Sequence, residues 1–283
     1  MQILITGAAG MLGADVANEA KRAGHEVAAL AREECDITQD APIAAVIDRV
    51  RPDVVVNCAA FTDVDGAESQ STNAEAVNGQ AAGRLAARAA SAGAWIVHIS
   101  SDYVFDGRKR EPYVESDPLA PLSAYGRSKL AGETAVARAA PERHTIVRSS
   151  WLFGAAGPCF PKTIRRLAAE REQLTVVDDQ VGCPTFTGHL ASALVDVAQR
   201  RVGGVVHVAA AGACSWYEFA QEIVRRSGLS CEVVPGTTAA LARPAPRPAY
   251  SVLGTERPDV APRLPDWQAG LDDFLTLTSA VAS

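Results

Sequence analysis

The segment Ser123-Ala124-Tyr125-Gly126-Arg127-Ser128-Lys129-Leu130 sets a phenol and an ammonium four residues apart. On a helix, which Leu130, Glu133 and Val136 suggest, the two side chains lie one above the other on one face. A neighbouring cation favours the phenolate, so Lys129 is expected to lower the Tyr125 pKa toward neutrality and make the phenol a usable proton donor. A Tyr-x-x-x-Lys pair alone is more often a solvated helix face. Its upstream context sharpens it: the run Trp95-Ile96-Val97-His98-Ile99 ends in Ser100-Ser101-Asp102-Tyr103, about 24 residues before Tyr125. A hydroxyl at a strand end, a phenol and an ammonium in that order suit reduction of a ketone. Ser101 would hydrogen-bond the carbonyl oxygen, Tyr125 would protonate it as hydride arrives, and Lys129 would hold the nicotinamide ribose.

Such a constellation needs a strand-rich scaffold that also binds a dinucleotide. Ile3-Leu4-Ile5-Thr6 reads as a strand, and Gly7, Gly10 and Gly13 form a G-x-x-G-x-x-G turn into a helix through Val16 and Ala20. Glycines there permit close backbone approach, so helix N–H groups can hold a pyrophosphate; a glycine-rich turn with no ligand is the plainer alternative. The second strand, 25–30, ends at Ala31-Arg32. An acidic residue at that tip would bind the ribose of NAD, whereas Arg32 suits a 2′-phosphate, so NADPH is the expected cofactor with NADH left open. A solvated surface arginine is the competing reading. Asp36-Ile37 is placed to hydrogen-bond and cover an adenine. Val54-Val55-Val56 reads as a strand covered on both faces, and it empties into small residues at Ala59 and Ala60, then Phe61.

Helices expected at 41–50 and about 74–92 alternate with these strands. Repeated strand–helix alternation predicts the α/β class with a Rossmann-type doubly wound parallel sheet. Beyond 145–148 the pattern loosens. Helices are expected at 161–170 and 216–227, a return to the sheet at 190–198 and 205–208, and an extended loop at 243–248. A dinucleotide-binding domain over 1–153, rejoined by 184–209, is thus interleaved with a smaller C-terminal substrate-binding part, 154–183 and 210–283.

Composition narrows the partners. A net charge of -6 over 283 residues leaves no basic patch, which argues against nucleic acid. No apolar run of about 18 residues occurs, so no membrane span is expected. Met1-Gln2 leads straight into the first strand without a signal-like segment. Cys35, Cys58, Cys159, Cys183, Cys214 and Cys231 are scattered, with no C-x-x-C pair, and read as reduced thiols of a cytoplasmic protein.

Taken together, these stretches resemble the extended short-chain dehydrogenase/reductases. The likeness runs through Arg51-Pro52-Asp53-Val54-Val55-Val56-Asn57, Thr62-Asp63-Val64-Asp65-Gly66-Ala67-Glu68, Ser101-Asp102-Tyr103-Val104-Phe105-Asp106-Gly107 and Tyr125-Gly126-Arg127-Ser128-Lys129. Within that family, Asp179-Gln180-Val181-Gly182-Cys183-Pro184-Thr185, Arg247-Pro248 with Ser251 and Leu253, and Leu264-Pro265-Asp266-Trp267 are similar to the dTDP-4-dehydrorhamnose reductase subgroup. The resemblance implies NAD(P)H-dependent reduction of the C4 ketone of dTDP-6-deoxy-L-lyxo-4-hexulose to dTDP-L-rhamnose. It assigns the catalytic roles to Ser101, Tyr125 and Lys129, lines the cofactor with Gly10, Met11, Leu12, Asp36, Ile37, Ala59, Ala60 and Phe61, with Tyr125 and Lys129 also against it, and puts Asp102 and Trp151 against the sugar nucleotide. Arg247 suits a diphosphate clamp on chemical grounds, against the alternative of a surface-loop arginine. A 4-ketoreductase of another dTDP-deoxysugar and a non-catalytic regulatory subunit of the same fold remain as alternatives. Some family members pair through magnesium. Asp15 could serve as a ligand, but Phe186-Thr187-Gly188-His189 lacks the acidic partners, so no metal is expected and the chain is a monomer or a homodimer.

Overall fold

The apolar run at 54–56 forms β3 (Val54–Asn57), buried along its whole length in the middle of a parallel sheet. The structure is a computed structural model and describes residues 1–280. Six parallel strands make the main sheet: β1 (Gln2–Thr6), β2 (Glu26–Leu30), β3, β4 (Trp95–Ser101), β5 (His144–Ser149) and β10 (Gly204–His207). Their spatial order is β10-β5-β4-β3-β1-β2. The chain steps outward from β1 to β2, then returns past β1 to β3 and continues the other way. The strand order therefore reverses between β1 and β3, the place where doubly wound sheets open a crevice at their carboxyl ends. The expected α/β doubly wound sheet is present.

Side-chain alternation assigns the two faces. Ile3, Ile5, Val54, Val56 and Val97 point to one face, where α1 (Met11–Arg22) and α8 (Thr187–Arg200) cover them with Val16, Ala20, Leu190 and Leu194. Leu4, Val55 and Ile96 point to the other, against α2 (Asp40–Val50), α5 (Ala82–Ser91) and α6 (Ala124–Ala139). The single helix expected near 74–92 is built differently. After the short α3 (Gly66–Ser69), α4 (Ser71–Glu75) widens into a π-helical turn, Ala76–Ala81, before α5 begins. At that turn the Asn78 side chain reaches across to Phe61, and Gly79 lies against Ala131 of α6, where an added Cβ would come within 3.2 Å of the Ala131 Cβ.

After β5 the chain leaves the sheet. The short β6 (Leu152–Phe153) leads to α7 (Phe160–Glu170), β7 (Gln173–Val177), β8 (Val181–Gly182) and β9 (Thr185–Phe186). It then returns through α8 and β10, which joins the sheet edge beside β5. The rest comprises β11 (Cys214–Ser215), α9 (Trp216–Arg226), β12 (Glu232–Gly236), the short α10 (Thr238–Leu241) and α11 (Trp267–Ala280). These pieces share an aromatic core of Phe153, Phe186, Phe219, Trp267 and Phe274. Residues 243–248 carry no helix or strand, as expected. Among the described residues all six cysteines are free thiols, and no helix is long and apolar enough to cross a membrane.

Candidate active site

The crevice between β1 and β3 is floored by glycine for a steric reason. Gly7 has φ +70°, and a Cβ there would fall 2.6 Å from the Ala59 nitrogen; at Gly13 it would fall 2.3 Å from the Gly7 carbonyl oxygen. Gly10 starts α1 from an extended conformation with no side-chain cap, so the N–H groups of the first turn, at Met11, Leu12 and Gly13, are left to donate to an anion. The Leu12 side chain itself is buried in the core, so only its backbone can serve the crevice. Across from the turn, Asn57 Oδ1 accepts from the Thr6 hydroxyl (2.8 Å) and the Ala59 N–H (3.2 Å), and Asn78 pins both backbone groups of Phe61. Ala59, Ala60 and Phe61 are thereby held half-buried along the opposite wall.

At the β2 tip, Arg32 is exposed and lies 4.0 Å from Asp36 Oδ2. Asp36 turns its other oxygen to the Thr38 N–H and hydroxyl, which holds its carboxyl below the usual range. Ile37 is buried with Leu30 and Ile43, so its side chain supports this wall from beneath. These features fit a dinucleotide: an uncapped helix start, a glycine floor where any Cβ would collide, and an exposed guanidinium at the outer rim.

The reacting groups stand at the carboxyl end of β4 and the start of α6. Ser101 ends β4 and donates to Asp102 Oδ1 (2.9 Å) while accepting the Tyr103 N–H (3.2 Å). Ser123 caps α6 by accepting the Gly126 N–H, which sets Tyr125 in the first helical turn. The Tyr103 ring meets Tyr125 edge-on at 5.6 Å between centroids. Lys129 is buried and donates from Nζ to the Ile99 carbonyl at 2.6 Å.

The expectation that Lys129 lowers the Tyr125 pKa is corrected here. Burial, reinforced by the negative charge of Asp102, pushes the phenol up to about 12. Burial also lowers Lys129 to about 8, partly offset by Glu133. The ammonium is aimed at a backbone carbonyl, and the cost of burying a phenolate outweighs its pull. Tyr125 is therefore a protonated phenol at neutral pH, which is the form a proton donor needs.

Asp102 is 1% exposed, and burial raises its carboxyl to about 7. Its Oδ2 is buried without a hydrogen-bond partner among the described residues. Behind Lys129 lies a charge pair that the sequence reading did not single out. Arg148 grips Glu133 through Nε (2.9 Å) and Nη2 (2.7 Å), and Ser100 donates to the same carboxylate at 2.5 Å. The signal was present: Glu133 follows Lys129 by four residues, one turn on the same helix face. His98 Nδ1 lies 3.1 Å from Asn57 Nδ2, a contact that no local spacing in the sequence marks.

Trp151 follows β5 by two residues and adopts φ 48°, and its indole stacks on Trp216. Arg247 differs from expectation. Its fork is already engaged by Asp65, at 3.0 Å and 2.9 Å, so it does not stand free for a diphosphate. Asp15 lies on α1 with Oδ2 buried and without a hydrogen-bond partner among the described residues, while His189 of the 186–189 stretch pairs with Asp273 at 2.7 Å.

Against known proteins, the family model described as RmlD substrate binding domain matches residues 1–279. A dTDP-4-dehydrorhamnose reductase of Burkholderia thailandensis is 42% identical, with 95% of this chain and 96% of that protein covered. A probable dTDP-4,6-dihydroxy-2-methyloxan-3-one 4-ketoreductase of Streptomyces antibioticus is 43% identical over 96% of this chain and 93% of its own length. Among solved structures, the dTDP-4-dehydrorhamnose reductase of Bacillus anthracis in complex with NADP superposes with a TM-score of 0.94 at 36% identity, covering 98% of this chain and 99% of that one.

Proposed function

This chain belongs to the family described as RmlD substrate binding domain, and from that premise we propose that it reduces the C4 ketone of dTDP-6-deoxy-L-lyxo-4-hexulose to dTDP-L-rhamnose with NADPH. One observation carries the chemistry. The Tyr125 phenol, in the first turn of α6, stands with Ser101 and Lys129 at the carboxyl end of β4, beside a glycine-floored crevice. The first-turn N–H groups of α1 at Met11, Leu12 and Gly13, with Gly7 and Gly10 beneath, hold the pyrophosphate. Arg32 meets the 2′-phosphate, and Asp36, Ile37, Ala59, Ala60 and Phe61 bound the adenosine side.

The bound nicotinamide supplies the hydride. The Ser101 hydroxyl and the Tyr125 phenol converge on the substrate oxygen, and Tyr125 hands its proton to the oxygen as negative charge builds there. Lys129 exchanges the Ile99 carbonyl for the nicotinamide ribose. Asp102 and Trp151 hold the hexose, and Arg247 serves the diphosphate by exchanging Asp65 for phosphate or by shaping its loop.

The division of labour follows the topology. Residues 1–153 and 184–209 carry the cofactor, and 154–183 with 210–283 carry the sugar nucleotide. The free thiols suit a reducing cytoplasm, and the chain acts as a monomer or a homodimer. The deciding assay follows absorbance loss of NADPH and of NADH with dTDP-6-deoxy-L-lyxo-4-hexulose, and identifies the product sugar by NMR. Turnover to dTDP-L-rhamnose supports the reading. Cofactor binding with no turnover sinks it in favour of another 4-keto sugar nucleotide, the reading to which the Streptomyces antibioticus relative points.

A further inference from the structure

We propose that Glu133 is a positioning residue for cofactor binding: pinned by Arg148 and Ser100, its carboxylate is the buried counter-charge that keeps Lys129 the ammonium that grips the cofactor. The inference rests on the reading that Lys129 holds the nicotinamide ribose.

Lys129 and Glu133 stand one turn apart on α6 and are both buried, at 3% and 4% exposed. Consecutive residues of β4 hold them. Lys129 Nζ donates to the Ile99 carbonyl at 2.6 Å, and the Ser100 hydroxyl donates to Glu133 Oε1 at 2.5 Å. Arg148, the register partner of Ser100 on β5, closes on the same carboxylate through Nε at 2.9 Å and Nη2 at 2.7 Å. Among the described residues Lys129 is not one of the donors to Glu133, so the two charges act on each other across a helical turn without touching. A carboxylate fixed from the far side cannot swing over to seize the ammonium. Lys129 thus keeps its charge supported while its Nζ bonds only a carbonyl, which a ribose hydroxyl can replace.

The support matters because an ammonium taken out of water loses its hydration, and one carbonyl restores little of it. Burial pulls Lys129 down to about 8, and Glu133 is the foremost group that pulls it back. The other titratable neighbours offer less near neutrality. On α6, burial keeps the Tyr125 phenol protonated at about 12, and Asp102 beyond β4 acts on that phenol. After β3, burial raises the Cys58 thiol to about 12; on β4, burial lowers His98, which leaves a neutral imidazole. On β10, His207 Nε2 lies 3.4 Å from Arg148 Nη1, burial lowers this imidazole too, and its backbone N–H donates to the Glu115 carboxylate.

Glu133→Gln keeps the shape of the side chain and removes its charge. Glu133→Gln with Arg148→Met removes both charges and guards against a failure of the single variant to fold. NADPH affinity of the full chain, read by nicotinamide fluorescence and compared with the parent at each pH, tests the proposal. In both variants the pH at which affinity falls off should drop from about 8 by about one unit. The Kd should stay within about twofold of the parent at about pH 6.5 and be about fivefold weaker at about pH 8. A loss of equal size at both pH values marks a merely structural role and overturns the proposal, as does a profile that superposes on the parent's. Lys129→Ala separates this inference from the reading beneath it. If Lys129→Ala leaves NADPH affinity intact, the ribose grip falls and this proposal with it. If Lys129→Ala weakens binding while the Glu133→Gln profile matches the parent, this inference alone falls.

Discussion

Arg247 meets Asp65 through both arms of its guanidinium, at 3.0 Å and 2.9 Å, joining the irregular loop at 243–248 to the segment that follows β3. Arg243 and the Ala245 N–H add to the same carboxylate. The Arg247 fork first, and then the Ala245 N–H, hold the Asp65 carboxyl down at about 2. A carboxyl depressed in the fold contributes stability that is present above its ordinary range near 4 and lost as pH falls toward 2. Asp65→Asn should therefore cost about 1–2 kcal/mol near neutrality. Melting curves should show the gap to the parent protein closing between about pH 4 and pH 2; a gap independent of pH would sink the latch.

Tyr125→Phe should lower kcat by about a hundredfold or more, the usual worth of a positioned proton donor. NADPH affinity, followed by nicotinamide fluorescence, should stay within about twofold, since the substitution keeps the ring beside the cofactor and removes only its hydroxyl. Because Lys129 titrates near 8, cofactor affinity should weaken as pH rises through that value in parent and variant alike. Near-normal turnover in Tyr125→Phe would remove the proton-donor assignment.

Local spacing made some of this site legible and long-range packing hid the rest. The glycine turn, the β4 tip and the Tyr-x-x-x-Lys helix are each encoded within a dozen residues, and the structure brings them to one crevice. Their relation to burial was not encoded. Phenol and ammonium are four residues apart in any sequence window, but the direction of the Tyr125 shift depends on how much protein surrounds it and on Asp102 beside it. Arg247 was visible as a guanidinium in a proline-rich loop, whereas its partner lies 182 residues upstream. The π-turn at 76–81 escaped for a different reason: its Ala-rich sequence fits an unbroken helix, and only the Asn78 contacts with Phe61 and Ser128 mark the widening.

The Glu133–Arg148 pair is 5% and 3% exposed, and each partner is an uncompensated charge without the other. Arg148→Met should destabilise the fold by about 3–5 kcal/mol, while Glu133→Gln with Arg148→Met together should regain much of that loss. Denaturant midpoints of the two single variants and the double variant give the coupling. Strict additivity would mean that the pair does not act as a unit.

Arg32 is 77% exposed on its side chain and only 4.0 Å from Asp36, so nothing on the protein holds it firmly. Arg32→Ala should raise the KM for NADPH about tenfold and leave that for NADH nearly unchanged, with no loss of melting temperature. Equal effects on both cofactors would retire the 2′-phosphate role.

Asp102 gives the opposite pH signature to Asp65. Burial raises its carboxyl to about 7, so the fold favours the neutral acid. The stability it contributes is fully present below its ordinary range near 4 and is lost as pH climbs through about 7. Asp102→Asn keeps the shape and removes the charge. It should melt at or above the parent temperature at pH 8, and the advantage should disappear by about pH 4. The same substitution should weaken sugar-nucleotide binding, since Asp102 stands beside Ser101 and accepts its hydroxyl at 2.9 Å. Both effects come from one buried carboxylate, so a variant that gains stability at pH 8 while its KM for the sugar nucleotide stays put would strip Asp102 of its binding role and leave it a buried acid beside Ser101.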